Sequence, residues 1–270
     1  MRRAIASAVM LAALALLAGC GSSSTTTSTG EATAVATRAS EPARKILDEA
    51  AAALEHAHSF ALHGRLDVER QQTGISLETQ EPNVARMTLE RGDDVASVIF
   101  FGEGKSAYMR ANPAFLHAQY AHERVPGAVV ALLANRWLKV PAKEAGGQPK
   151  ELDGRSLGRC LAAEPGTLVV EGLTTVDGQS AVTITDKGDV PGSTPSKLYV
   201  AATHEPLLLR AVATGKQRPG GPRHSACSGS GELTEPGDEL SFGRYNQPMG
   251  ITAPAGAVEP SQLAKQYLGG

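Results

Sequence analysis

From Phe60 onward the apolar residues abandon a helical spacing for a period of two, and they hold it through several short runs. Phe60, Leu62, Leu66 and Val68 alternate with His63, Arg65, Asp67 and Glu69. Ile75 and Leu77 alternate with Ser76 and Glu78, and Met87 and Leu89 alternate with Arg86, Thr88 and Glu90. Gly92, Asp93 and Asp94 then turn the chain into Val95 to Phe101, and Gly102 to Gly104 turn it into Ser106 to Arg110. Strands this close together, punctuated by Gly, Asp and Asn, form an antiparallel meander in which one face of the sheet is buried.

The flanking segments supply what covers that face. Ile46, Leu47, Ala50, Leu54 and Ala57 recur at helical spacing after Ser40, Glu41 and Pro42, a capping residue, an acid and a first-turn proline. Asn112-Pro113 opens a helix over Ala114 to His122, Pro126-Gly127 breaks it, and Ala128 to Ala134 forms a second, very apolar piece. Trp137 to Val140 reads as a short strand. Glu151 to Leu161 reads as a helix weakened by Gly154 and Gly158. Strands return at Leu168 to Val176 and Ser180 to Thr185 across Asp177-Gly178, then at Lys197 to Ala202, Leu207 to Ala213 and Glu239 to Arg244. Gly215 to Gly231, rich in glycine and proline, is a loop. The expected fold is α+β, an antiparallel sheet curling over a few helices.

The first residues do not belong to that domain. Arg2 and Arg3 precede an uncharged stretch from Ala4 to Gly19, shorter than the ~20 residues of a spanning helix, and small residues follow. This is the pattern of an export signal. Leu17-Ala18-Gly19-Cys20 resembles the lipobox of bacterial lipoproteins, which implies a diacylglyceryl thioether on Cys20 once residues 1–19 are removed. The other reading is an ordinary secretory signal with a chance cysteine. Residues 20–40, dominated by Ser, Thr and small residues, read as a flexible stalk, and 41–270 as one domain.

Charge and composition exclude several functions. The net charge is −2, and becomes −4 without the signal because Arg2 and Arg3 leave and no acid does. No basic patch stands out, so nucleic acid is a poor partner. Five Phe, five Tyr and one Trp leave few aromatic platforms for stacking sugars or bases. With Cys20 lipidated, Cys160 and Cys227 remain in an oxidising compartment, where a disulfide between them is expected; two unpaired buried thiols are the alternative. No metal site emerges: His56 and His58 diverge at a helix end, His63 lies on the polar face of a strand, and His122-Glu123 lacks a second His. Gly104-Lys105-Ser106 lacks the upstream glycine of a phosphate loop, and Ser228 to Gly231 lacks the surroundings of a nucleophile elbow. No catalytic set and no cofactor are expected.

Several local sequences, in this order of elements, resemble the LolA-like superfamily in its actinobacterial LppX/LprG-type lipoprotein branch. They are Ala57-His58-Ser59-Phe60, Tyr108-Met109-Arg110, Arg136 to Val140, Val176-Asp177-Gly178, Leu198-Tyr199-Val200, Pro206 to Arg210, and Phe242 to Pro254. The resemblance implies a half-barrel of antiparallel strands wrapped around helices, an apolar cavity for acyl chains, and no catalytic residues. The expected lining is Phe60, Leu62, Leu66, Ile99, Phe101, Met109, Val129, Leu132 and Leu133, against the plainer reading that each is ordinary core. The function expected is a membrane-anchored, extracytoplasmic carrier of lipid or glycolipid, with an envelope transporter or acceptor protein as partner. Its rival is a non-enzymatic accessory or sensor that binds protein on the same scaffold.

Overall fold

The computed structural model describes residues 29–68, 70–81, 84–101, 106–121, 125–142, 153–163, 165–220 and 233–268. Cys20, Cys227 and the greater part of the Gly215 to Gly231 loop therefore lie outside the described residues. The expected meander is present as β1 (Ser59–Val68), β2 (Gln71–Gln80), β3 (Val84–Arg91), β4 (Asp94–Phe101) and β5 (Ser106–Ala111). The later strands are β6 (Leu138–Pro141), β7 (Leu168–Val176), β8 (Gln179–Asp186), β9 (Ser196–Ala201), β10 (Leu208–Ala213) and β11 (Glu239–Gly243).

All eleven join one open antiparallel sheet in the order β6-β5-β4-β3-β2-β1-β11-β10-β9-β8-β7. Two meanders thus grow toward each other, and β11 is the seam, pairing β1 on one side and β10 on the other. The hairpin between β7 and β8 turns on Asp177 and Gly178, both at positive φ, as the dipeptide leads one to expect. The outer edge at β6 is covered by the C-terminal segment: Lys139 N donates to Val258 O at 2.9 Å and Val258 N to Trp137 O at 3.0 Å.

The helices are α1 (Thr29–Ala39), α2 (Ala43–Glu55), α3 (Pro113–Gln119), α4 (Gly127–Leu133), α5 (Gly154–Ala162) and α6 (Pro260–Leu268). The first corrects the stalk reading. Within residues 20–40, α1 is folded and packs Val35 and Ala39, one turn apart, onto the core under β8 and β9. Because α1 immediately precedes α2, Ser40 ends the former instead of capping the latter: its Oγ donates to Thr37 O at 2.7 Å, and Pro42 holds the cap position of α2. Helix α3 starts as expected, with Asn112 Oδ1 accepting from Phe115 N at 2.8 Å. Helix α6 had no counterpart among the sequence expectations.

Helices α2 and α5 pack on each other through glycine. A Cβ at Gly158 would lie 2.5 Å from Ala51 O, and one at Gly154 would overlap Leu54 O. These glycines, read from sequence as helix weakeners, are what lets α5 approach α2 closely. Together the pair cover β1, β2 and the strands from β7 to β11 on one side of the sheet, which we call the inner face.

Candidate functional site

Register across the sheet assembles the inner face into rows. Leu62 faces Leu77, Leu77 faces Met87, Met87 faces Val98, Val98 faces Met109, and Met109 faces Leu138. Six apolar side chains on six successive strands form one stripe, ~24 Å across at the usual strand spacing. A parallel row runs through Gly64, Ile75, Leu89, Ala96 and Ala111.

Burial along the stripe is uneven. Under α2 and α5, Leu54, Phe60, Leu62 and Leu77 are at most 2% exposed, and Ile46, Leu47, Ile184 and Val200 are fully buried beside them. In contrast β3, an interior strand with a hydrogen-bonded neighbour on each side, has no buried residue: Ala85, Met87 and Leu89 on its inner face all stay half-buried. Further out, Met109 and Leu138 are half-buried against a cluster of Val98, Phe100, Ala107 and Val140, and among the described residues no helical side chain joins that cluster. Helices α3 and α4 close a smaller cluster, Ala96, Ala111, Leu116 and Val130, with Leu133 at its border.

The nine expected lining residues separate accordingly. Phe60, Leu62 and Leu66 lie together in the filled part below α2 and α5. Met109 lies on the same face near β6, and Leu133 borders the α3–α4 cluster. Val129 is 39% exposed on α4 and Leu132 is half-buried. Ile99 and Phe101 are on the opposite face, packed with Met249, Ile251, Tyr108 and Trp137. Their strand is apolar on both sides, so its periodicity left the choice of face open, and register made it: Ile99 pairs Tyr108 and Arg86, one step out of phase with Val98. The structure does not bring all nine to one cavity. Met87, Leu89 and Leu138 were not singled out from sequence; they become visible only when register lines them up with Leu62 and Met109.

Polar groups near the inner face are structural. Tyr245 donates its hydroxyl to Leu208 O at 2.7 Å and its ring centroid lies 6.4 Å from that of Phe60; burial pushes the phenol well above its usual range, so it stays neutral. Asp238, 1% exposed, accepts from Asp67 N, Thr234 N and Glu235 N at 2.7–2.9 Å, tying the approach to β11 onto the end of β1. Asp186 accepts from Gly166 N and Gly188 N, and burial raises its pKa above the ordinary aspartate value. His58 Nδ1 lies 2.9 Å from Glu81 Oε2 at the surface, and among the described residues no group of three metal-ligating side chains occurs. Cys160, on α5, is disulfide-bonded, and its partner is outside the described residues. Among the described residues no helix is long and apolar enough to cross a membrane.

The outer face carries a cavity of about 780 Å³ above β10, β11, β1, β2 and β3, and none of the nine expected residues lines it. Its polar walls are His63, Arg65, Ser76, Glu90, Arg210 and Ser241, and Ile75 and several glycines also line it.

No family model matches the chain, and no curated protein matches it. Among solved structures it is similar to LprF from Mycobacterium bovis, at 14% identity and a TM-score of 0.49, over 79% of this chain and 97% of that one. It is similar to the Mycobacterium tuberculosis lipoprotein LppX, at 12% identity and a TM-score of 0.46, over 77% and 97%. A LolA superfamily protein from Nitrosomonas europaea follows at 8% identity and a TM-score of 0.24, over 79% and 96%. Each is a likeness only, and the functional reading rests on the chain's own residues.

Proposed function

We propose that this protein is an exported lipoprotein, held to the membrane through acyl chains on Cys20, that binds the fatty tails of a lipid or glycolipid on the inner face of β3 to β6. It works without catalysis, by reversible burial of apolar surface, and hands its cargo to an envelope transporter or acceptor. The observation that carries this reading is β3: an interior strand whose apolar inner residues, Ala85, Met87 and Leu89, are left half-exposed beside Met109 and Leu138. At roughly 25 cal/mol per Å² of apolar area removed from water, a tail laid across that stripe would be held by area alone. Methionine suits the task, because its unbranched thioether adapts to chains of different shape. Met109 of the expected lining belongs to this face, Leu62 continues its row into the filled part under α2 and α5, and Leu132 and Leu133 of α4 would form its rim.

The anchor proposal shortens the tether. With α1 starting at Thr29, the stretch left between the lipidated cysteine and the folded domain is residues 20–28. We also propose that Cys227 is the disulfide partner of Cys160, which would pin the loop that contains it to α5.

The test is native mass spectrometry of protein purified from its own membranes, beside a Met87→Lys variant. Lipid adducts on the wild type that are lost in the variant, with cooperative thermal unfolding retained, are expected. Repeatedly empty spectra would overturn the carrier and select the accessory role, for which the filled half under α2 and α5 is the supporting observation. Cys20→Ser should move the protein from membrane to soluble fractions; full retention would refute the anchor.

A further inference from the structure

The outer cavity answers to a different chemistry from the inner stripe. One row crosses it in register: Arg210 faces Ser241, Ser241 faces His63, His63 faces Ser76, and Ser76 faces Thr88. Five polar side chains on five successive strands stand directly behind the apolar rows of the other face. The next row reads Glu239, Arg65, Gly74, Glu90, and the glycine leaves a gap where a side chain would fill the trough. A Cβ there would meet Glu90 Cβ at 3.4 Å and Glu90 Oε2 at 3.8 Å, ordinary contacts, so the gap is not imposed by crowding and is bordered by the Glu90 carboxylate.

These groups are not used up by the protein. His63, Arg65, Gln72 and Ser76 are exposed, and neither they nor Ser241, 6% exposed at the floor of the trough, make a side-chain hydrogen bond or ion pair among the described residues, which leaves their polar atoms open to a molecule in the trough. Arg210 is partly engaged, with Nε 3.3 Å from Glu239 Oε1 and a terminal nitrogen 3.3 Å from Asp177 Oδ1, and its buried Nε makes no well-formed hydrogen bond.

Charge selects the ligand class. Two guanidinium groups, Arg65 and Arg210, are balanced by two carboxylates, Glu90 and Glu239, on the same walls. An anion drawn to the arginines would meet the glutamates, and a cation the reverse. A hydroxyl donates to a carboxylate and accepts from a guanidinium, so a polyhydroxylated neutral molecule can use every wall at once. We propose that this trough is a second binding site, for an uncharged saccharide held by hydrogen bonds to the Arg210–Thr88 row and seated in the gap over Gly74. Its volume fits a small oligosaccharide within the usual range of ligand sites. No aromatic platform lines it, so binding is directional and modest in strength.

The experiment titrates purified full-length protein with uncharged mono- to tetrasaccharides of glucose, galactose, mannose and arabinose by calorimetry. Saturable binding of at least one is expected. Gly74→Val, which fills the gap with a strand-favouring side chain, should weaken it at least tenfold, as should Ser76→Leu should the first variant fold poorly. Met87→Lys, on the inner face, should leave it unchanged, which separates this site from the lipid site. A further arm compares a glycolipid in micelles with its deacylated headgroup. Equal affinity for the two supports the trough, and a strict need for acyl chains assigns binding to the inner face and overturns it. Failure of every neutral sugar, binding by anionic sugars alone, or binding untouched by both trough variants would equally overturn it.

Discussion

Strands β8 and β3 hold equivalent places in the sheet, each flanked by a partner on both sides, yet they have opposite fates. In β8, Ala181, Val182, Thr183, Ile184 and Asp186 are buried; in β3 nothing is. Hydrogen bonding does not make the difference, since both ladders are complete over most of their length. Cover does. Helix α2 lies over the β8–β10 side with α1 and Leu161 of α5 beside it, and Val176, Ala181, Ala201 and Leu209 form a further cluster with Tyr199 and Leu207. On the β3 side, α3 and α4 reach β4 and leave the inner face of β3 part-exposed. The sheet under α2 is a conventional core, whereas β3 leaves Ala85, Met87 and Leu89 part-exposed although Val98, Phe100 and Ala107 beyond it are buried.

The comparison breaks most visibly under truncation. Ile184→Ala should cost about 4 kcal/mol of stability, as for a fully buried aliphatic chain, whereas Met87→Ala should cost about 1 kcal/mol and instead reduce bound lipid. Chemical denaturation of both variants checks this; equal losses would mean that the two halves are packed alike. A smaller effect sharpens the account of the cover. Gly158→Ala should destabilise by about 2 kcal/mol although alanine favours helix by about 1 kcal/mol, because the new methyl must push α5 away from Ala51 and Glu55. A gain in melting temperature would show that α5 does not sit this close to α2.

The smallest effect is one of pH, at the filled end. Asp186 has its pKa raised, first by burial, so its neutral form is the one the fold prefers. Its contribution is fully present below the ordinary aspartate value and is lost as pH rises through the folded value. Nearby Asp189, lowered by its hydrogen bonds to Thr167, acts in the opposite direction. The melting temperature of wild type relative to Asp186→Asn should therefore fall as pH is raised from the ordinary aspartate value upward. A rise over that interval would reverse the sign and show that the backbone donors outweigh desolvation.

Much of the molecule can be read along the chain because its signals are local. Period-two alternation placed β1, β2 and β3, Asn112-Pro113 opened α3, and Asp177-Gly178 turned β7 into β8, each through contacts a few residues apart. Helix α1 escaped notice because its helicity rests on Val35 and Ala39 meeting a distant core and not on a strong local pattern. The glycines of α5 misled for a similar reason: propensity treats them as a fault, and only the partner helix shows them to be a fit.

The sequence by itself determined that there would be an antiparallel α+β domain, which positions in each strand share a face, and that a basic start, an apolar stretch and Cys20 precede it. Tertiary structure alone decided which rows line up, that Met87 joins Met109 while Ile99 turns away, and that Arg210, Ser241, His63 and Ser76 meet in a trough. The reason is physical: alternation is a property of one strand, whereas register and helical cover are set by long-range packing that no single segment encodes.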